Sequence, residues 1–396
     1  MAKKPRAKAS KEATLDQSPP PKATTLYPAP IPLASILGQS RALATLQAAM
    51  RADRVHHAWI FHGPAGVGKL TTALAFAATL LDPSTAPNLA GNPEPDPDSQ
   101  VQRLLRAGAH PDLHVITKEL ARYSDDAKVR DAKLITIPKD VIDTHLVQPA
   151  KLAPMVRNNA AIGKVFIVDE AELLDRSPTN AHTQNSILKT LEEPDGKTVI
   201  ILVTSSPDRL LATIRSRSQQ VRFAPLDKHS LKSWAAARDL GVPPDEIDWL
   251  LEQSEGSPGE VLRSIEFSLP AWRTRLAPLL AGASRGKYSS SLAPAIAESI
   301  EAAAQSIVAA NAQASKEAAT RSAASRMFRF LARHYRTELR RTLAPVAHPP
   351  AHPTTHEAEP HALRAIDAIQ RAERLVDSQV NMTFIAEWLS GELAAV

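Results

Sequence analysis

The chain has no cysteine in 396 residues, which excludes disulfides and thiolate metal sites and leaves histidine and carboxylate to hold any ion. It also lacks an unbroken apolar run of the roughly eighteen residues that a bilayer-crossing helix needs. Its first residues, Met1-Ala2-Lys3-Lys4-Pro5-Arg6, carry no apolar core of a secretory signal. A soluble, cytoplasmic protein with no membrane partner is therefore expected. What is present is 43% hydrophobic and 22% charged residue, ample at this length for two or three packed domains. The net charge of +5 favours approach to a polyanion only weakly.

Residues 1–32 are rich in Lys, Ala and Pro, with Pro19, Pro20 and Pro21 in a row, and are expected to form a disordered basic tail. Helical spacing begins at Ala42, Leu43, Leu46 and Met50. A short apolar strand, Ala58 to His62, then runs into a glycine-rich turn and a helix from Leu70 to Leu81. Residues 82–100 are dense in Pro, Asn, Asp and Gly and read as a loop insertion. Further strand-like runs fall at Leu113 to Ile116, Val165 to Val168, Val199 to Thr204 and Gln220 to Phe223, with helical patterns between them. Strands alternating with helices predict an α/β domain over residues 33–225, its sheet mostly parallel with helices on both faces. The strand signal then stops. Helical periods at Leu231 to Leu240, Asp245 to Gln253 and Glu260 to Phe267 predict a small three-helix module over 226–268. Residues 269–396 are Ala-rich and predict an all-α domain, broken by a Pro- and His-rich linker at 345–360.

The strongest local signal is Gly63-Pro64-Ala65-Gly66-Val67-Gly68-Lys69 between an apolar strand and a helix. Glycines there let backbone N–H groups curl around phosphate oxygens, the helix N-terminus adds partial positive charge, and Lys69 can reach the outer phosphates. The next position usually holds a magnesium-binding hydroxyl. Here it is Leu70, with Thr71 and Thr72 following. A second apolar strand ends in Asp169-Glu170, where Asp169 could hold magnesium and Glu170 polarise a water. A third ends at Thr204, whose hydroxyl could sit near a terminal phosphate. Fourth, Thr213-Ile214-Arg215-Ser216-Arg217-Ser218 offers two arginines, the residue type that can complete a neighbouring phosphate site. Taken singly, each has a structural alternative: a retained turn at the glycines, a helix cap at Asp169, a turn at Thr204, solvated surface at the arginines.

Together these segments resemble the AAA+ modules of clamp loaders, and their wording is similar to the delta-prime subunits of bacterial DNA polymerase III. The likeness is carried by Ile36-Leu37-Gly38-Gln39, His57-Ala58-Trp59-Ile60-Phe61, Gly108-Ala109-His110-Pro111-Asp112-Leu113, the run from Asn185 to Leu191-Glu192-Glu193-Pro194, and Leu210 to Ser218. The resemblance implies an AAA+ P-loop core, a three-helix lid over 226–268 and a helical collar over 269–396. It also implies a place in a five-subunit ring that loads a sliding clamp on primed DNA. The partners it implies are gamma/tau and delta subunits, with clamp and DNA met through the complex. Arg217 would be an arginine finger reaching the ATP site of an adjacent motor subunit. This chain's own nucleotide site would comprise Gly63, Gly66, Gly68, Lys69, Thr71, Asp169, Glu170 and Thr204, taking magnesium only with ATP. That site would be vestigial, because Leu70 replaces the hydroxyl and Gly259 stands where motor subunits carry a second sensor arginine. The family's four-cysteine zinc module is missing, so zinc is not expected. Two alternatives are an ATP-hydrolysing gamma/tau-type motor, with Thr71 supplying the hydroxyl, and another AAA+ replication or recombination factor.

Other signals carry blander readings. His348, His352, His356 and His361 have metal-like spacing, but interleaved prolines favour a linker. Arg326, Arg329, Arg333, Arg336, Arg340 and Arg341 alternate with apolar residues as in an amphipathic helix. Lys139, Lys151 and Arg157 are candidate phosphate contacts for which solvation is the simpler account.

Overall fold

The computed structural model describes residues 27–52, 54–132, 135–156, 160, 162–175, 181–192, 197–310, 315–342, 361–378 and 380–395. Residues 1–26 of the tail expected over 1–32, Arg157, and the 345–360 linker with His348, His352 and His356 lie outside them; residues 27–32 depart from that expectation, since Tyr27 packs against the core of the first unit. The chain divides into two compact units between Ala224 and Pro225.

The first unit is built on a five-stranded sheet, ordered Leu113–Ile116, Lys164–Val168, Thr198–Thr204, Ala58–His62, Gln219–Arg222. Every pairing in it is parallel. The strands fall within one residue of the positions read from sequence, because a strand covered on both faces must be apolar almost without interruption. All seven residues of Thr198–Thr204 are buried. Alternation sends Trp59 and Phe61 to one face, against the helix Lys69–Leu81, and Ala58 and Ile60 to the other, where Ile187, Leu191 and Ile214 pack. The α/β layering with helices on both faces is thus present.

Two features depart from the sequence reading. The 82–100 insertion contains a minimal hairpin, Ala86–Pro87 against Pro93–Glu94, and residue 100 already begins the helix Gln100–Arg106. It is gathered by Asp82, 2% exposed, whose carboxylate accepts from Ser84 N at 2.9 Å, Ser84 Oγ at 2.7 Å, Ser99 Oγ at 2.6 Å and Gln102 Nε2 at 2.9 Å. A loop signal was all that composition offered, since the organising contacts join residues far apart in sequence. Between residues 139 and 150 the chain is helical, with a π-helical turn at Asp143–Val147.

The amino edge of the sheet is closed by buried charge. Asp112 accepts from the backbone N–H groups of Met155 at 2.8 Å and Val156 at 2.7 Å. Lys164 donates to the carbonyls of Pro149 at 2.6 Å and Leu152 at 2.7 Å. These contacts account for Asp112 in the Gly-Ala-His-Pro-Asp-Leu segment without invoking a ligand.

The second unit is entirely helical among its described residues. Lys228–Ala236, Pro244–Gln253 and Pro258–Glu266 enclose a core of Leu226, Leu231, Trp234, Leu250, Leu251 and Val261. The first of these helices stops four residues short of the expected Leu240; Asp227 caps its start by accepting from His229 N and Ser230 N. Ser257 caps the third helix through Glu260 N. Five longer helices follow, Leu269–Ala283, Leu292–Ala310, Lys316–Thr342, His361–Asp377 and Met382–Ala394, around a second core that includes Phe328, Leu331, Tyr335 and Leu389. No helix of the described residues is long and apolar enough to cross a membrane.

Candidate functional site: the P-loop edge of the sheet

The P-loop leaves the strand Ala58–His62 at the point where the strand order reverses, between Thr198–Thr204 on one side and Gln219–Arg222 on the other. In open α/β sheets that carboxyl-edge crevice is where ligands bind. Gly63 has φ 141°, and a Cβ there would lie 2.3 Å from the Phe223 carbonyl oxygen, so only glycine lets the loop pass the last strand. Gly66 and Gly68 also have positive φ, 75° and 98°. Gln39, 4% exposed, ties the loop down: its Nε2 donates to Val67 O at 3.2 Å and Ala224 O at 2.7 Å, and its Oε1 accepts from Ala224 N at 3.2 Å. The sequence marked Gln39 only as part of a matching tetrapeptide; its clamp role came from the fold.

Lys69 opens the helix and is 7% exposed. Its Nζ folds back onto the loop, donating to Gly63 O at 2.7 Å and Pro64 O at 2.6 Å. Leu70, at the hydroxyl position, packs against the apolar core. Of the two candidate hydroxyls, Thr72 is fully buried and donates to Gly68 O at 2.9 Å. Thr71 is partly exposed.

Asp169 follows the strand Lys164–Val168, which lies beside Thr198–Thr204. Burial lifts its pKa to about 6, and the like charges of Glu170 and Glu172 act in the same direction, against a Glu170 N–H and the Lys69 ammonium. The sheet therefore brings Lys69 and Asp169 within electrostatic reach of each other. Glu170 sits in the left-handed region at φ 49° and is paired with Lys118, Nζ to Oε2 2.7 Å. Burial works against the Lys118 charge, and Glu170, with Glu119 and Asp169, more than restores it. Thr204 is 1% exposed and its hydroxyl accepts from Ser206 N at 3.0 Å. Lys118 was missed by sequence reasoning; its only sequence signal is its place just past the end of a strand neighbouring the Asp-Glu strand.

Arg217 ends the helix Ala212–Arg217. Its described partners are Glu192 Oε1 at 2.8 Å and Thr213 O at 3.2 Å, and the Arg217 and Glu192 side chains are 40% and 46% exposed. Arg215 pairs with Asp208 at 2.9 Å. The helix is set by Gln184, fully buried, which accepts from Leu211 N at 2.8 Å and donates to Arg209 O at 3.1 Å. Gln184 itself lies in the helix His182–Glu192, whose N–H groups at Thr183 and Gln184 donate to Asp175. The helix that ends at Leu191-Glu192 and the Ser-Arg-Ser segment are thus tied together through Gln184 and through Glu192 with Arg217, a link invisible in their separate positions.

The sequence model of the family described as "DNA polymerase III, delta subunit" matches residues 38–227. Among curated proteins, DNA polymerase III subunit delta' of Pseudomonas aeruginosa is 34% identical over 203 residues, 51% of this chain and 53% of that one. The Bacillus subtilis subunit delta' is 29% identical over 202 residues, 51% of this chain and 52% of its own. Residues 38–227 are delta-prime-like. The chain spans about half the length of these curated relatives. Subunit tau of Escherichia coli is also similar, 28% over 232 residues, covering 58% of this chain and 31% of tau.

The glycine loop and Lys69 fit the phosphates of a nucleotide. The position directly after Lys69 holds Leu70 in place of a hydroxyl, and Glu170 is paired with Lys118. Gly259 occupies the first turn of the helix Pro258–Glu266 and offers no cation; the arginine of that helix is Arg263, whose Nε donates to Gly259 O at 3.3 Å. No group of three or more His, Asp or Glu suited to an ion is found among the described residues. Of the discounted cations, Lys139 pairs with Asp143 along its own helical turn and Lys151 is exposed.

Proposed function

We propose that this chain is the non-motor, delta-prime-type subunit of a DNA polymerase III clamp loader. It would assemble with gamma/tau and delta subunits into a pentameric ring and present Arg217 to the ATP site of a neighbour. One observation carries the reading: the chain's own P-loop has an apolar side chain where magnesium needs an oxygen, while Arg217 stands solvent-accessible at a helix end, held by one exposed carboxylate and the Thr213 carbonyl. Exposed ion pairs contribute about 0–1 kcal/mol, so Glu192 can orient the guanidinium yet yield it to a triphosphate. In this reading the collar over 269–396 is the oligomerisation domain, the helices of 226–268 are the lid, and sliding clamp and primed DNA are met through the complex.

A nucleotide bound by the chain itself would be held by the N–H groups of Gly63, Gly66 and Gly68 with Lys69, and would serve to stiffen the loop. Thr71, Asp169, Glu170 and Thr204 would line that site. The chemistry the nucleotide supplies is a polyanionic anchor. Releasing Lys69 from the Gly63 and Pro64 carbonyls is the one rearrangement this chain must make.

The test is ATP hydrolysis by the reconstituted loader. Arg217→Ala is expected to leave assembly intact and to lower turnover at the affected site by about a thousandfold. Unchanged DNA- and clamp-stimulated hydrolysis would remove Arg217 from the mechanism. A second reading, a gamma/tau-type motor, draws on the likeness to tau and the intact glycine loop. It predicts magnesium-dependent turnover by the isolated chain, abolished by Lys69→Ala.

A further inference from the structure

A cavity of about 480 Å³ opens in the second unit, between the helix Pro258–Glu266, the long helix Lys316–Thr342 and the helix His361–Asp377. That volume falls within the range of small-molecule sites. Four arginines line it, Arg263, Arg321, Arg326 and Arg329, together with the hydroxyls of Ser322 and Ser325. Arg321, Ser325 and Arg329 recur every four residues and so share one face of the long helix. An amphipathic core helix explains the apolar residues beside them but not why arginines converge on a concave surface.

The charges there are poorly balanced. Arg326 is only 6% exposed, pairs with Glu260, and stacks its guanidinium 5.4 Å from the centre of the Phe267 ring. Burial opposes its charge, Glu260 supports it, and Arg329 and Arg263 oppose it again. Glu373, on the facing helix, accepts from the Ser325 hydroxyl at 3.3 Å. Four guanidiniums therefore face two carboxylates, and the two most exposed, Arg321 and Arg329, have no carboxylate partner within ion-pair distance among the described residues.

We propose that this pocket binds a phosphate-bearing ligand, either a free polyphosphate such as a nucleotide or the backbone of a single nucleic-acid strand. Planar guanidinium forks with serine hydroxyls between them match the several acceptor oxygens of phosphate better than the two of a carboxylate. Phe267 and Val376 supply an apolar wall for the rest of such a ligand. The site is separate in sequence from the P-loop, and it stands or falls independently of the arginine-finger reading.

The experiment uses the full chain carrying Lys69→Ala, which weakens any P-loop contribution, with and without Arg321→Glu and Arg329→Glu together. Inorganic tripolyphosphate and a labelled twenty-nucleotide deoxythymidine strand are titrated at several salt concentrations. The double reversal is expected to weaken binding at least tenfold. With the strand it should also flatten the dependence of log K on log salt by about 1.4, the value for two lost phosphate contacts. Tripolyphosphate bound without the strand assigns a free polyphosphate; a strand displaced by tripolyphosphate assigns nucleic acid. Binding of neither probe, unchanged affinity in the double reversal, or displacement by polyglutamate but not by tripolyphosphate overturns the proposal. Should the double reversal fail to fold, Arg321→Ala alone, at an exposed position, is expected to cost about fivefold, and no loss there has the same adverse meaning.

Discussion

At the amino edge of the sheet Asp112 and Lys164 are 0% and 3% exposed and are satisfied by backbone groups, whereas at the carboxyl edge Glu170 is met by the side chain of Lys118. Arg217, farther along the chain, is met by a side chain, Glu192, as well as by the Thr213 carbonyl. The backbone partners that close the amino edge come with the fold, whereas the loop carbonyls that hold Lys69 at the carboxyl edge can be released to a ligand. Side-chain partners in solvent can be traded for a ligand at little cost. The same residue types therefore close the fold at one end of the strands and stand exchangeable at the other, and the place of the partner, more than the charge, decides which.

The largest effect that would sharpen this contrast is at Asp112. Asp112→Ala removes a buried carboxylate, orphans two backbone donors and deprives Lys164 of an opposite charge. A loss of about 3–5 kcal/mol in urea denaturation is expected; a loss under about 1 kcal/mol would erase the distinction between the two edges.

The next effect is on acid stability through His114, whose ring stacks on Phe166 at 4.6 Å. Burial, then the Lys164 charge, hold its pKa down to about 4 from 6.5. Because the folded value is the lower one, the folded state favours the neutral ring: the contribution is present above pH 6.5 and is lost as pH falls toward 4. A decline of about 3 kcal/mol across that window is expected, and His114→Phe should flatten it. Asp169 has the opposite sign. Its folded pKa, about 6, lies above the ordinary 3.8, so its contribution is present below pH 3.8 and is lost as pH rises through 6. Asp169→Asn should therefore gain on the parent above pH 6, and an equal deficit at all pH values would contradict the assigned ionisation. The smallest effect is Glu192→Gln, expected to shift stability by no more than about 1 kcal/mol while leaving loader hydrolysis at or above the parental rate. A collapse of activity would make Glu192 a partner in the reaction and not a holder for Arg217.

Much of the first unit was legible because its strands are covered on both faces. Val165 to Val168 and Val199 to Thr204 could hardly be anything else at that length, and the glycine loop between a strand and a helix is a local signal throughout. What sequence did not give was pairing. Gln39 with Val67 and Ala224, Lys118 with Glu170, and Glu192 with Arg217 are contacts between segments, and periodicity holds no information about which polar residue meets which. The same holds for the pocket of the long helix: the arginine spacing was visible at once, but its concavity depends on Glu373 and Val376 from another helix.

The Asp82 centre of the insertion has a chemical consequence of its own. Four donors from Ser84, Ser99 and Gln102 converge on one carboxylate, and although burial disfavours its charge, those hydrogen bonds bring its pKa below the usual value. With no thiol anywhere in the chain, peroxide has nothing there to oxidise. The reagent that unties this knot is the hydronium ion, which neutralises the acceptor and leaves its donors to water.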